Sequence, residues 1–153
     1  MAGAAAGTSP VPTIEVACAA PLDAVVEAVC SQLTPGDVVL LRGPIGAGKT
    51  TLVQACAQRL GVDEPVTSPT FALAHRYRGT VPIAHLDLYR LASTPERDVD
   101  DLIAEVGGGA VAFVEWPETG AAWLPPAAVE VDIELAPDGT RRFTVQPGPA
   151  RAA

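Results

Sequence analysis

Short apolar runs and helix-spaced apolar positions take turns along the chain. Val38–Leu41 and Ala110–Val114 are uninterrupted apolar runs, which is typical of strands buried on both faces of a parallel sheet. Between residues 21 and 33 the apolar residues recur at intervals of three or four, which predicts a helix. A second helix is predicted from Lys49 to Leu60, just before a glycine. Strands joined through helices in this way predict an α/β fold with a parallel sheet.

The remaining periodic segments predict antiparallel strands beside this parallel core. Phe71–Tyr77 and Val81–Leu86 are strand-like and are separated by a tight turn. Glu130–Leu135 and Arg141–Val145 alternate polar with apolar residues on either side of an Asp-Gly pair. This arrangement predicts a C-terminal hairpin at the edge of the sheet.

Length and composition fit one domain. The chain has 153 residues, of which 48% are apolar, and this is enough to bury a single core. We expect a disordered tail at 1–12, a domain at 13–146 that begins with a strand near Thr13 and includes a helix at 94–106, and a flexible tail at 147–153. No apolar run approaches the roughly 20 residues of a membrane helix, and the N-terminus lacks the pattern of a signal peptide. The protein is therefore predicted to be cytoplasmic.

Charge and cysteine content exclude several classes of function. The net charge is −8, which argues against a broad basic surface for stable, direct nucleic-acid binding. The three cysteines are widely spaced and form no zinc pattern with the two histidines, so we expect small buried thiols. Lys49 is the sole lysine among ten cationic residues. A compact ammonium on a flexible stem is well suited to reach phosphate groups.

Residues 43–50 match the phosphate-binding motif G-x-x-x-x-G-K-[ST] at every position. Glycines in such a loop let the backbone turn its N–H groups toward phosphate oxygens, and the following helix adds its positive end. The lysine reaches the β- and γ-phosphates, and the hydroxyl after it ligates Mg²⁺. The candidate nucleotide-binding residues are Gly43, Gly46, Ala47, Gly48, Lys49, Thr50 and Thr51. With an apolar strand before the motif and a helix after it, the predicted fold is that of the P-loop NTPases.

Two acidic residues are candidates for the catalytic chemistry. Asp87 and Glu115 each follow an apolar strand, at the sheet edge where ligands bind in open α/β folds. Mg²⁺ prefers oxygen ligands, so one acid is expected to hold the metal together with Thr50. The other is expected to orient or deprotonate the attacking water. The sequence leaves open which of the two contacts the metal directly.

The segment between the phosphate loop helix and the next strand is a candidate γ-phosphate sensor. Its hydroxyls, Thr67, Ser68 and Thr70, occupy the place of the first switch loop of GTPases. His85 is predicted to point to the same side of its strand as Asp87, and packing is its favoured role. Trp116 is equally compatible with a pocket wall and with a partly buried core position.

The absence of a second lysine bears on the choice of nucleotide. The N-K-x-D motif that many GTPases use to recognise guanine cannot be present, so ATP is the expected nucleotide. Two alternatives to an ATPase stay open. A small-molecule or nucleotide kinase would share the phosphate loop but need an acceptor pocket, and a nucleotide-gated binding module would need no hydrolysis.

Four segments together resemble one family. They are GPIGAGKTT at 43–51, TSPTF at 67–71, HLDLYRL at 85–91 and VEWPE at 114–118. In this order and spacing the chain, from about residue 13 to 135, resembles the TsaE (YjeE) family of bacterial P-loop ATPases in tRNA threonylcarbamoyladenosine biosynthesis.

The resemblance implies an activity and partners. Members of that family work with the proteins TsaD and TsaB, which transfer threonylcarbamoyl to an adenosine next to the tRNA anticodon, and they contact tRNA through that complex. The implied cofactors are ATP and Mg²⁺. The resemblance carries a metal-holding aspartate over to Asp87, a switch-like glutamate to Glu115, a switch-like threonine to Thr70 and a tryptophan beside the nucleotide to Trp116. Lys49, Asp87, Glu115 and Thr70 are thus the expected catalytic residues, and Thr50, Asp87 and Glu115 the expected metal ligands.

Overall fold

The computed structural model describes residues 13–18, 20–67, 74–89, 104, 106 and 108–150. Two helices in these segments are α1, Asp23–Cys30, and α2, Lys49–Arg59. The strands are β1 (Thr13–Val16), β2 (Val38–Arg42), β3 (Ala74–Tyr77), β4 (Ile83–Asp87), β5 (Val111–Glu115), β6 (Val129–Leu135) and β7 (Arg141–Pro147). After β5 the chain forms two short 3₁₀ turns, Pro117–Thr119 and Ala121–Trp123.

All seven strands join one sheet in the order β1-β7-β6-β2-β5-β4-β3. The four central strands β6, β2, β5 and β4 are parallel, and β1, β7 and β3 pair antiparallel with their neighbours. The carboxyl ends of β2, β4 and β5 therefore open at the same edge of the sheet. The segments that follow these strands are the ones expected to carry the site.

The helices α1 and α2 cover one face of the sheet. Apolar side chains of β2 and β5 that point to this face, such as Leu41 and Phe113, pack in one cluster with Val25, Leu52 and other helix residues. Alternate residues of the same strands, among them Leu40 and Val114, point to the opposite face and form a second cluster. Burial on both faces explains why β2 and β5 are continuous apolar runs.

The predicted fold class is confirmed, and the described segments refine its edges. The predicted hairpin is β6 and β7, but β1 pairs with β7 and is the outermost strand on that side. The strand β7 continues to Pro147, and the backbone N–H groups of Gly148 and Ala150 donate to carbonyls of residues 128 and 127. Part of the tail expected at 147–153 is thus hydrogen-bonded to the residues just before β6.

Other expectations meet different outcomes. Cys30 and Cys56 are buried as expected, whereas Cys18 is exposed, because it follows the outermost strand rather than lying under a helix. Residues 71–73 of the predicted strand and 94–103 of the predicted helix lie outside the described residues, as do the tail at 1–12 and residues 151–153. Within the part of the chain that is described, neither helix has the length and apolar character needed to cross a bilayer.

Candidate functional site

The loop between β2 and α2 is curled by two glycines with left-handed backbone conformations. Gly46 has a φ of 83° and Gly48 a φ of 100°, values that side chains with a Cβ rarely adopt. Gly43 is closely packed instead, and a Cβ there would lie in a tight contact, 3.1 Å from the carbonyl oxygen of Ile133 on β6. Ala47 is fully buried and donates its backbone N–H to the carbonyl of Pro44 at 3.1 Å. The loop therefore turns sharply at two of the positions where the motif region has glycine.

Lys49, the first residue of α2, turns its side chain back over this loop. Its Nζ donates to the backbone carbonyls of Gly43 and Pro44, at 2.5 and 3.0 Å. The ammonium also lies 4.2 Å from the centroid of the Trp116 ring, which is within the range of a cation–π contact. Only 5% of Lys49 is exposed. The ammonium of Lys49 is thus held inside the loop by two carbonyls and the Trp116 ring. A bound phosphate would replace these contacts or add to them.

Burial also affects the protonation of Lys49. Desolvation lowers the pKa of its ammonium from the ordinary value, and the carboxylates of Glu115, Asp87 and Glu118 partly oppose this shift. These three acids are therefore close enough to stabilise the lysine electrostatically. A polyphosphate in the loop would add further negative charge beside the same ammonium.

Glu115 is buried at the end of β5 and contacts both the phosphate loop helix and β4. The Thr50 hydroxyl donates to its carboxylate, 2.9 Å from Oε2 and 3.2 Å from Oε1. His85 Nε2 lies 2.5 Å from Oε2. A carboxylate only accepts hydrogen bonds, so Nε2 of His85 carries the hydrogen. His85 is fully buried, and among the described residues its Nδ1 has no hydrogen-bond partner.

Asp87 lies beside Glu115 at the same sheet edge. The two residues are direct partners in the parallel pairing of β4 with β5. Asp87 is partly buried, and its Oδ1 accepts a hydrogen bond of 3.1 Å from the backbone N–H of Tyr89. The side chains of His85, Asp87 and Glu115 share the face of the sheet that α2 covers, because they alternate with core residues of the other face.

Trp116 follows Glu115 in an unusual backbone conformation. Its φ of 57° is the one positive value among the non-glycine residues that the structure describes. A tryptophan in the left-handed region is uncommon and costs conformational energy, on the order of 1–3 kcal/mol. The conformation places one face of the ring against Lys49, and the ring also meets Tyr89 with centroids 4.9 Å apart. The turn after β5 therefore forms a wall of the site.

The donor set at this edge fits a magnesium ion bound together with phosphates. No group of three His, Cys, Asp or Glu side chains in the described segments could enclose a metal by itself. Mg²⁺, however, commonly takes one or two carboxylates and completes its octahedron with phosphate oxygens and water. The hydroxyl of Thr50 and the carboxylate of Glu115 are already in contact, with Asp87 adjacent. These are hard oxygen ligands of the right kind.

Other predicted residues are exposed or lie beyond the described segments. Thr51 is exposed on α2. Thr67 is also exposed, and its backbone N–H lies 3.3 Å from the Tyr77 hydroxyl. Ser68 and Thr70 lie outside the described residues, so their predicted sensing role is a proposal only.

The sequence favours packing as the role of His85 and does not predict its contact with Glu115. The structure shows a fully buried imidazole hydrogen-bonded to Glu115. The available signal was its position two residues before Asp87, on the same side of a strand that parallels β5. Without the strand order, that position does not reveal which acid the imidazole meets.

Comparison with known proteins identifies relatives over most of the chain. The family model described as "Threonylcarbamoyl adenosine biosynthesis protein TsaE" matches residues 17–143. A tRNA threonylcarbamoyladenosine biosynthesis protein TsaE of Treponema pallidum is 42% identical over 115 residues, which cover 74% of this chain and 84% of the relative. The protein of the same name from Bacillus subtilis is 37% identical over 113 residues, with 72% and 69% covered.

A solved structure is similar as well. The crystal structure of YdiB from Bacillus subtilis superposes with a TM-score of 0.71 at 28% sequence identity. The match covers 92% of this chain and 89% of YdiB. Sequence and fold therefore lead to the same group of proteins.

Proposed function

Since the chain belongs to the TsaE family, whose role is in tRNA threonylcarbamoyladenosine biosynthesis, we propose that it binds ATP with Mg²⁺ at the phosphate loop and hydrolyses the ATP at this site. The reaction is the attack of water on the γ-phosphorus, with cleavage of the bond to the β–γ bridging oxygen, which releases ADP and phosphate. The observation that carries this proposal is the contact of Glu115 with Thr50, directly beside the buried Lys49.

The loop and Lys49 bind the phosphates in this proposal. Backbone N–H groups at the start of α2 and the ammonium of Lys49 donate to phosphate oxygens. The ammonium exchanges its present contacts with the carbonyls of Gly43 and Pro44 for stronger ones with charged oxygens. Because the site is largely buried, each of these interactions is stronger than it would be in water.

Thr50, Asp87 and Glu115 would hold Mg²⁺, directly or through water, and the ion neutralises charge on the phosphates when bound. Glu115 has the additional task of orienting the attacking water and accepting its proton. His85 supports this task because its hydrogen bond fixes the orientation of the carboxylate. Thr70 is proposed to contact the γ-phosphate, as the resemblance implies.

The partners proposed for the chain are TsaD and TsaB, with tRNA contacted through their complex in the cytoplasm. The net charge of −8 favours an indirect contact, because a polyanion would be repelled by most of this surface. Hydrolysis slow in isolation and faster in the complex would fit a role in supporting repeated rounds of transfer.

The decisive experiment is tRNA modification in a reconstituted mixture with TsaD, TsaB and the threonylcarbamoyl donor. Glu115→Gln keeps an oxygen that can accept from Thr50 but cannot take a proton. We expect it to retain ATP binding, to lose ATP hydrolysis by about 100-fold or more, and to limit modification to about one round. Glu134→Gln, which alters an exposed acid on β6, is the matched control and should behave like the wild type.

Two outcomes would contradict the proposal. If the wild type neither binds nor hydrolyses ATP with its partners present, the assigned site is wrong. If Glu115→Gln supports repeated modification at the wild-type rate, nucleotide binding alone is sufficient and the chain acts as a gated binding module.

A further inference from the structure

One arginine outside the motif reaches the phosphate loop from the hairpin. Arg141 is the first residue of β7 and shares the sheet face of Phe143, which belongs to the core under α1 and α2. A Cβ placed on Gly48 would lie 3.1 Å from Nη1 of Arg141 and 3.7 Å from its Cδ. The guanidinium therefore rests against the loop at the residue that starts α2.

The guanidinium of Arg141 has an aromatic neighbour but no charged partner among the described residues. Its carbon Cζ lies 5.7 Å from the centroid of the Phe143 ring, and within the described segments it forms no ion pair or side-chain hydrogen bond. Other arginines differ, because a carboxylate lies within 3.2 Å of Arg42, Arg59 and Arg142. A partly buried guanidinium with five unused donors, next to an anion-binding loop, is arranged for a charged acceptor.

The strand order indicates which part of a nucleotide this guanidinium would meet. Glu115 and Asp87 lie on β5 and β4, on one side of β2, whereas Arg141 lies on β7, two strands away on the other side. In the proposed reaction the γ-phosphate lies with the metal and the acids. A polyphosphate that follows the loop away from those acids directs its α-phosphate and nucleoside toward Arg141.

We propose that Arg141 is a nucleotide-binding residue that donates to the α-phosphate of ATP and of ADP. This assignment rests on the proposed function, since it uses the same loop and the same nucleotide. It also gives the C-terminal hairpin a direct part in binding. In this proposal Arg141 takes no part in the reaction at the γ-phosphate, which involves Lys49, Thr50 and Glu115.

The test is a titration of ATP and of ADP against Arg141→Gln, with Arg142→Gln as the matched control. Arg142 is the next residue on β7, points to the opposite face and pairs with Glu15 and Glu134. We expect Arg141→Gln to lower the affinities for ATP and for ADP by the same factor, about tenfold. Arg142→Gln should leave both affinities within about twofold of the wild type. Arg141→Lys, which keeps the charge without the fork, should fall between Arg141→Gln and the wild type.

Each other outcome has a definite meaning. Unchanged affinities for Arg141→Gln, in a preparation where Lys49→Ala weakens binding, would overturn the role of Arg141 and leave the proposed function intact. A loss for ATP alone would overturn the assignment to the α-phosphate. Absence of nucleotide binding in the wild type would instead refute the proposed function. Thermal unfolding of each variant without nucleotide shows whether the substitution has lowered stability. If Arg141→Gln is destabilised, the nucleotide affinities of Arg141→Lys are compared with those of the wild type instead.

Discussion

The two halves of the sheet handle charge in opposite ways. The phosphate-loop half consists of β2, α2, β4 and β5, and it contains the lysine, histidine and glutamate side chains that are buried within the described segments: Lys49, His85 and Glu115. The hairpin half consists of β1, β6 and β7. There Arg142 pairs with Glu15 and Glu134, and all three side chains are exposed.

This difference indicates where the chain accepts an energetic cost for function. Charged groups lose hydration when they are buried, and contacts with other charges recover only part of that loss. Exposed ion pairs involve little cost and contribute little stability. The cluster around Lys49 is thus expensive as structure, which is the expected signature of a site that binds a charged ligand. Apart from Arg141, the hairpin half follows the ordinary pattern of a solvated strand face.

Among the substitutions that test this comparison, Lys49→Ala is expected to have the largest effect on nucleotide binding. Removing the ammonium deletes a charge-assisted contact with the phosphates. We expect the affinity for ATP to fall roughly 10- to 100-fold in a binding titration. The variant should still fold, because the buried cation is replaced by a small apolar residue.

Arg59→Ala is the control for that change, because it removes a cation from the other end of the same helix. Arg59 is exposed and pairs with Glu27. Its variant should bind ATP like the wild type. Equal affinities of the wild type and Lys49→Ala would show that burial of the lysine has no connection with nucleotide binding.

A smaller effect is expected at His85, whose task is to position Glu115. His85→Ala should lower kcat for ATP hydrolysis about tenfold, because the carboxylate loses the contact that fixes Oε2. The dissociation constant for ATP should change less than about threefold, since His85 lies behind the acid rather than in the loop. His85→Gln places an amide N–H near the same oxygen and should recover part of kcat.

The split between kcat and affinity distinguishes positioning from a purely structural role. A general loss of stability would lower both, and Gln would not selectively restore turnover. If His85→Ala hydrolyses ATP at the wild-type rate, the imidazole is a packed core residue, as the sequence alone suggests.

The two halves also differ in how far their features could be predicted from sequence. The strands β2 and β5 and the loop glycines follow from local patterns, because apolar runs and the motif need only neighbouring residues. The hairpin follows from alternation around Asp138 and Gly139. The place of β1 beyond β7 does not, since pairing between residues more than 120 positions apart leaves no local signal.

The residues of the site can likewise be predicted from sequence only where a local pattern marks them. Lys49, Thr50 and Glu115 are recognisable as candidates, because a motif or a strand end marks each one. The contact between Glu115 and Thr50 depends on β5 lying next to β2, and the approach of Arg141 to Gly48 depends on the hairpin bringing β7 near α2. Such contacts between distant segments require the strand order.

The smallest expected effect concerns the turn of the hairpin, where the charge serves local structure alone. Asp138 Oδ1 accepts a hydrogen bond of 2.9 Å from the backbone N–H of Thr140. That bond holds the pKa of the Asp138 carboxyl below its ordinary value. Because the carboxylate is favoured in the folded state, its stabilising contribution is complete above about pH 4 and is lost as the pH falls through the folded pKa.

Asp138→Asn isolates the charge, because the amide oxygen can still accept from Thr140. We expect a melting temperature about 1 °C below the wild type at pH 7. The difference should shrink as the pH falls below about 4, because the wild-type carboxyl then also becomes neutral. Thermal unfolding at several pH values measures this convergence, and affinity for ATP should stay unchanged throughout. A weaker affinity for ATP in this variant would mean that the turn of the hairpin, and not only Arg141, takes part in nucleotide binding.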